Sequence, residues 1–395
     1  MPGTTRSRRW VLHRSLGGLV AAALGAGCRE EALGPLCDDP LAEAAFEGLV
    51  SFVNERDHSF GVLCGEGLDA ARSFDLSPLT EEGLVLPAES FFVRTDKPQS
   101  LSPGEPETIR IRGLVSAEVE LATADLPAEA LEQGVHLMEC SGNTAYAGFG
   151  LIGAVAWSGV LLSEVLARVE IDSAATCLLV VGFDEHDNES ARSIPGASWI
   201  FPLSDLEERG AFIATGINGE PLSESHGAPA RLIVPGWYGC TAIKWITDLV
   251  LVDDQEPVTD QMLEFATRTQ QDAGIEVAAD CKPASLGLSA VVVRVEKWRL
   301  GDRVIYLLAG ILWGGEAPIE GLKIRLGGDS KLETVKLCTP HTTNRSWIMW
   351  THIWEPSSTG EYDITLEEPD PAVAAPRLES GWYLRGVQID EVSPA

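Results

Sequence analysis

Alternating apolar and polar positions dominate the last third of the chain, whereas the part before it mixes such runs with helical spacing. Residues 289–295 (SAVVVRV) and 304–310 (VIYLLAG) read as strands, and Gly314-Gly315 and Gly327-Gly328-Asp329 punctuate them at turn-like positions. Short strands with frequent turns predict an all-β, immunoglobulin-like sandwich over 283–395. Ahead of it, residues 109–115 alternate like a strand, 176–183 and 230–234 are apolar β-rich runs, and 161–169 has the spacing of an amphipathic helix. These elements predict an α+β core over 86–255, joined to the sandwich by a polar linker with some helix over 256–282. In the acidic, mixed segment 29–85, Leu41, Ala44, Ala45, Leu49 and Phe52 recur at helical spacing, predicting a helix over 41–53 in a segment that wraps the next domain.

The first 28 residues break this pattern. Ser7-Arg8-Arg9-Trp10-Val11-Leu12 sets a twin arginine before a weakly apolar run, 16–24, that is too short to span a bilayer as a mature helix. This resembles a twin-arginine export signal, against the plainer alternative of a basic, frayed N-terminus. It predicts an exported protein, periplasmic or anchored as a lipoprotein facing the periplasm. Leu24-Gly25-Ala26-Gly27-Cys28 is an imperfect lipoprotein cleavage box, because Gly25 stands where an aliphatic residue is wanted, so a lipid anchor at Cys28 stays open.

The chain has 395 residues, 45% of them hydrophobic, enough for two or three packed domains. Its formal charge of −30 argues against a nucleic-acid partner, which would need a basic patch standing against the whole protein's field. Eight cysteines are present without a C-x-x-C pair or a C-x-x-C-H, which argues against structural zinc and covalent haem. Cys37 and Cys64 are candidates for a disulfide, although spacing cannot fix connectivity.

Two stretches carry candidate chemistry. In HLMECSGNTAYAGFG, residues 136–150, Cys140 has three readings: a packed core thiol, a disulfide partner or a reactive thiolate. The following Ser141-Gly142-Asn143 allows a sharp turn and sets amide donors beside the sulfur. In 226–247, no acid occurs while His226, Arg231 and Lys244 are retained, a local charge reversal that suits an anion such as a phosphate. The competing reading is a buried strand at 232–234 flanked by solvated cations.

Four blocks in order resemble the molybdenum-cofactor oxidoreductases related to sulfite oxidase: FFVRT at 91–95; ECSGN at 139–143 with WSGVLL at 157–162; NGEPL leading into HGAPARLIVPGWYG over 218–239; and KW at 244–245. Further on, GILWGGEAPIEGLKIRL and SGWYLRG look like that family's dimerisation domain. The resemblance covers roughly 74–392. It implies a sulfite-oxidase-type molybdopterin-binding domain followed by the sandwich, with a homodimer formed through the latter. It further implies that Cys140 is the thiolate ligand of one molybdenum carried on one molybdopterin, with Arg94, Ser193, His226, Arg231 and Lys244 around the pterin or its phosphate. A soft thiolate suits a metal that cycles between oxidation states. No haem, flavin or iron–sulfur motif is visible, so electrons would pass to a separate carrier such as a cytochrome.

The chain also departs from that family. Where sulfite oxidases follow the cysteine block with paired arginines, Thr144, Ala145 and Tyr146 stand here, and Gly314-Gly315 is followed by Glu316 instead of a substrate arginine. The tyrosine expected before the NG pair is replaced by Thr215 or Gly216. Each charge-assisted bond to an anion is worth roughly 1.5–3 kcal/mol, so these losses predict a substrate other than sulfite, neutral or cationic. Tyr146, Trp237, Tyr238 and Glu316 are the candidate pocket residues, weighed against ordinary packing for the aromatics. The alternative to an enzyme is a non-catalytic cofactor-holding or surface-interaction protein that keeps the fold.

Overall fold

The computed structural model describes Cys37 and residues 41–56, 58–184, 194, 196–319, 321–328, 331–340, 342 and 345–394. The export signal, Cys28 and Ser193 lie outside the described residues.

Four five-stranded sheets form the body. The first two build the α+β part. One runs in the order Ser198–Pro202, Cys177–Gly182, Ile246–Val252, Thr108–Gly113 and Val119–Ala122, with Ile246–Val252 parallel to Thr108–Gly113 and the other pairs antiparallel. The other is antiparallel, in the order Glu220–Pro221, Phe212–Ile217, Ile152–Leu161 and Leu131–Glu139, with Arg231–Ile233 also paired to Phe212–Ile217. A short helix, Leu162–Leu166, follows directly on its strand, shorter than the periodicity suggests. The polar stretch before the sandwich carries the helix Asp260–Phe265, capped by Thr259, whose side chain accepts from the Met262 amide.

The sandwich is formed by the other two sheets. Ser289–Leu300, Arg303–Trp313 and Ile348–Trp354 are central in one, and Lys323–Leu326, Gly360–Glu367 and Arg385–Ile389 in the other. Its interior is continuous with the cysteine-bearing sheet: Leu137, Met138 and Ile152 belong to the same buried cluster as Leu286, Trp313 and Ile389. The end of the cysteine strand therefore packs against the sandwich.

Two expectations fail here. Residues 41–53 are not helical; Ala45–Val50 and Phe52–Val53 are strands that extend both sandwich sheets, pairing with Ser289–Leu300 and Arg385–Ile389. The half-buried Phe46, Gly48 and Val50 alternate with exposed neighbours, Ala45 and Leu49 among them, so the segment carries a period of two in residues other than those at helical spacing, and an open sheet edge decided between the two patterns. Cys37 does not pair with Cys64. It is bonded to Cys338, 301 positions away, which ties the N-terminal segment to the sandwich, while Cys64 is free and exposed.

The rest of the N-terminal segment is tied inward by buried cations. Arg294 bonds Glu296 at 2.7 Å and the carbonyls of Ser77 and Leu79 at 2.9 and 2.6 Å. Arg385 grips Glu55 through two bonds of 2.7 and 2.9 Å and lies over the rings of Phe52 and Phe149. Gly150 completes the seal, since a Cβ there would fall 2.1 Å from the Phe74 carbonyl oxygen. Gly150→Ala is expected to destabilise the chain by about 1–3 kcal/mol through backbone displacement, read as a lower urea midpoint with an unchanged m-value.

Candidate active site

Cys140 follows directly on the strand Leu131–Glu139, and the turn after it is fixed on both sides. The Cys140 amide donates to the Leu151 carbonyl at 2.9 Å, and its own carbonyl accepts from the Asn143 amide at 2.9 Å. The buried Asn143 side chain accepts from the Leu151 amide and donates to Glu139. Of the amides beside the sulfur, Gly142 N–H points to Sγ at 3.4 Å. Burial raises the Cys140 pKa, opposed chiefly by the charge of Arg94. The free side chain is therefore a thiol at neutral pH, and a bound metal ion would have to displace its proton.

The sulfur lines a cavity of about 630 Å³, within the usual size of a cofactor site. Arg94, Arg231 and Lys244 share that cavity, as do Tyr146, Cys240 and Trp382. Asp184 is the one carboxylate among its described lining residues, and its Oδ1 accepts from the Ala197 amide at 2.7 Å. In a chain of charge −30, this is a basic pocket.

Arg231 and Lys244 of the acid-free stretch meet at one wall, with His226 outside the lining. Gly227, with φ of 103°, lets them close up, because a Cβ there would sit 3.1 Å from both Arg231 and Lys244. Lys244 is half-buried and donates to the carbonyls of Thr95 and Ser225 at 2.6 Å and of Arg94 at 3.3 Å. Burial pushes its pKa well down. Arg231 donates to the carbonyls of His226 and Ala242, and burial lowers it to about 9, still cationic at neutral pH. Its Nε is buried with no partner. An orphaned guanidinium N–H on a residue that lines a basic cavity fits a site made for an anionic group, and the donor set fits the molybdenum–molybdopterin expected there.

His226 stands apart from the expectation of an imidazole turned to the ligand. It is buried outside the cavity lining, with Nδ1 2.9 Å from the Ser223 hydroxyl and Nε2 3.2 Å from the Phe91 carbonyl. A carbonyl only accepts, so the ring is the Nε2–H tautomer. Burial, reinforced by the charges of Lys244 and Arg231, lowers its pKa to about 3. The neutral ring bonds the Phe91 carbonyl, while the His226 backbone carbonyl accepts from Arg231.

Three other candidates lie off the cavity. Glu316 is largely exposed and forms two bonds to Arg209, at 2.9 and 3.1 Å, so it does not face the metal position. The glycine turn before it, with positive φ at Gly314 and Gly315, carries the chain past the site. Tyr238 is buried beneath the Arg377 guanidinium, 4.4 Å from its ring centre. Trp237 packs on Phe201. Tyr146 does line the cavity, exposed, with Arg56 over its ring.

Several site residues escaped the sequence. Glu139, wholly buried beside Cys140, accepts from Tyr383 Oη at 2.6 Å, Trp313 Nε1 at 2.9 Å and Arg377 Nη1 at 3.4 Å. Arg377 also donates to the Ser141 and Arg268 carbonyls at 2.7 and 3.2 Å, and Trp382 to the Asn143 carbonyl at 2.7 Å. The C-terminal segment thus clamps the cysteine turn. Cys240 adds a second free thiol to the cavity; burial pushes it up to about 12. It was visible inside the acid-free stretch, whereas Arg377 and Arg268 had no local signal.

Residues 102–259 match the family described as oxidoreductase molybdopterin binding domain. The chain is 26% identical over 358 residues to mitochondrial sulfite oxidase of Drosophila melanogaster, covering 80% of this chain and 60% of that protein. It is 28% identical over 194 residues to the NADPH nitrate reductase of Pichia angusta, covering 45% and 22%. The crystal structure of the sulfane dehydrogenase SoxCD from Paracoccus pantotrophus superposes with a TM-score of 0.63 at 17% identity, covering 86% of this chain and 91% of that one. The fold is thus that of the sulfite-oxidase type. Together with the cysteine cavity, the matched domain and these relatives support a molybdenum-cofactor oxidoreductase of the sulfite oxidase family. It spans about three fifths of the length of the Drosophila relative and about a fifth of the nitrate reductase.

Proposed function

We propose that this chain is an exported, mononuclear molybdenum oxidoreductase that moves an oxygen atom to or from a small substrate other than sulfite and exchanges electrons with a separate carrier such as a cytochrome. The observation that carries the reading is the placement of Cys140 Sγ, Arg94, Arg231 and Lys244 on one basic cavity. Bound there, the molybdenum–molybdopterin would supply two-electron oxygen-atom transfer. Cys140 would ligate the metal, while Arg94 and Arg231 would meet the anionic cofactor. His226 and Lys244 would brace that wall, and the sandwich would exclude water from behind the cysteine.

Substrate choice in this reading follows from the cavity mouth. Relatives are named for sulfite and for nitrate, so one fold serves different small substrates. Here Thr144, Ala145 and Tyr146 occupy the stretch where the resemblance places paired arginines. With Glu316 outside the cavity and Arg56, Arg94 and Arg268 on it, the lining favours an anion over a neutral or cationic molecule. Export rests on the twin-arginine segment, and a homodimer through the sandwich on its sequence blocks; light scattering of the purified protein tests the latter.

The deciding experiment is the molybdenum and pterin content of protein made with a working cofactor pathway, wild type beside Cys140→Ser. The expected result is one molybdenum and one pterin per wild-type chain, with the thiolate-to-metal absorption lost in the variant. Folded wild-type protein with neither metal nor pterin would overturn the reading in favour of a non-catalytic interaction protein.

A further inference from the structure

Most of the cations on the cavity are already engaged. Arg94, Arg231 and Lys244 donate to backbone carbonyls. Arg268 and Arg56 differ, since neither guanidinium forms a hydrogen bond or an ion pair with another described residue. Both line the cavity, in a chain where acids outnumber basic residues 59 to 29. A cation without a partner among the described residues, amid such an excess of carboxylates, is available to a group that is not part of the protein.

The backbone of Arg268 is well fixed. It lies on the turn Thr267–Thr269, its carbonyl accepts from Arg377 at 3.2 Å, and its guanidinium carbon stands 5.1 Å from the centre of the Phe265 ring. Its guanidinium lies beside Gly142. A Cβ at that glycine would lie 3.7 Å from Arg268 Nη1 and 3.9 Å from Cys140 Sγ, so the guanidinium and the sulfur face the same small space. On the far side of the same turn, Arg56 covers Tyr146, and His58, packed against Gly148, has a buried Nε2 without a partner.

We propose that Arg268 is the specificity-determining residue of this site: its guanidinium fork holds the oxygens of a small oxoanion substrate beside the Cys140 sulfur, with Arg56 and His58 closing the opposite side. It fills the role left vacant by Thr144, Ala145 and Tyr146, but from the segment between the two halves of the fold. A planar fork with parallel N–H donors suits bidentate capture of an oxoanion, which lysine cannot reproduce. The proposal rests on the molybdoenzyme reading for its chemistry, and its test separates the two.

The test is calorimetric binding of sulfate, an inert oxoanion, at low ionic strength to metal-loaded wild type, Arg268→Gln, Arg268→Lys and Arg56→Gln, with molybdenum, pterin and thermal unfolding measured on each. Arg268→Gln is expected to keep its metal and pterin and to bind sulfate at least about 10-fold more weakly, with Arg268→Lys in between and Arg56→Gln weakened less. Sulfate affinity equal to wild type in Arg268→Gln, or no sulfate binding by loaded wild type, overturns the assignment. So does pterin loss from a folded Arg268→Gln, which would make Arg268 a cofactor contact. Should Arg268→Gln not fold, Arg268→Lys decides, and wild-type affinity there overturns the claim of a fork. If wild type carries no metal, the molybdoenzyme reading fails, whereas Arg268-dependent sulfate binding to that metal-free chain would still uphold the oxoanion site.

Discussion

Arg377→Met is expected to cost about 3–5 kcal/mol of stability, because it strands the Glu139 carboxylate in a site with no exposure to solvent. Arg377 is the one cation bonded to Glu139 among the described residues; Tyr383, Trp313 and Asn143 remain as neutral donors. Three neutral donors stabilise a carboxylate without cancelling its charge, so desolvation of the ion is left uncompensated. The double variant Arg377→Met/Glu139→Gln removes the charge with its partner and is expected to recover more than half of the loss. Urea midpoints of the wild type, both single variants and the double variant give the coupling directly. A single-variant cost below about 1 kcal/mol would mean that water reaches Glu139 after all. Because Arg377 also holds the Ser141 and Arg268 carbonyls, the single variant is expected to load less molybdenum than wild type.

Acid is expected to destabilise the fold earlier than its carboxylates alone would dictate. His226 titrates near 6.5 when unfolded and at about 3 in the folded chain. Below pH 6.5 the unfolded chain therefore binds a proton that the folded chain refuses, and stability falls as pH falls toward 3. The slope approaches about 1.4 kcal/mol per pH unit for each such group. His136 and His352 are lowered in the same direction by burial and add to it. The window from pH 6.5 to 5 lies above ordinary carboxylate titration and isolates the effect. His226→Gln is expected to be less stable at pH 7 and to show a shallower slope across that window, since the substituted side chain gains no proton. Parallel stability curves for wild type and variant would show that the His226 ring is protonated or solvated in the folded state.

The architecture was legible in large part. Strands centred on 109–113, 177–182 and 289–295 announce themselves because one or both of their faces are buried, and burial imposes a regular apolar pattern. Segment 41–53 misled because it carries apolar residues at helical spacing and a second set, Phe46 and Val50, at a period of two, and only the open edges of the sandwich sheets chose between them. The cavity wall of Arg231 and Lys244 was legible for a different reason. A stretch without acids in an acidic chain is a chemical anomaly that needs no fold to be seen. His226 showed the limit of that signal, because residue type does not reveal whether a ring faces a ligand or is saturated from behind by Ser223 and Phe91.

Composition and motif order by themselves determined the class of the fold, the cysteine on which the site turns and the basic stretch that meets it. Those features are written in contiguous residues whose chemistry is intrinsic. The tertiary structure alone decided the Cys37–Cys338 bond, the seating of Glu139 under Arg377, the removal of Glu316 to the surface and the arrival of Arg268 opposite the sulfur. Each joins residues tens to hundreds of positions apart. The free energy of such a contact depends on which faces the packed sheets bring together, and no local spacing encodes that.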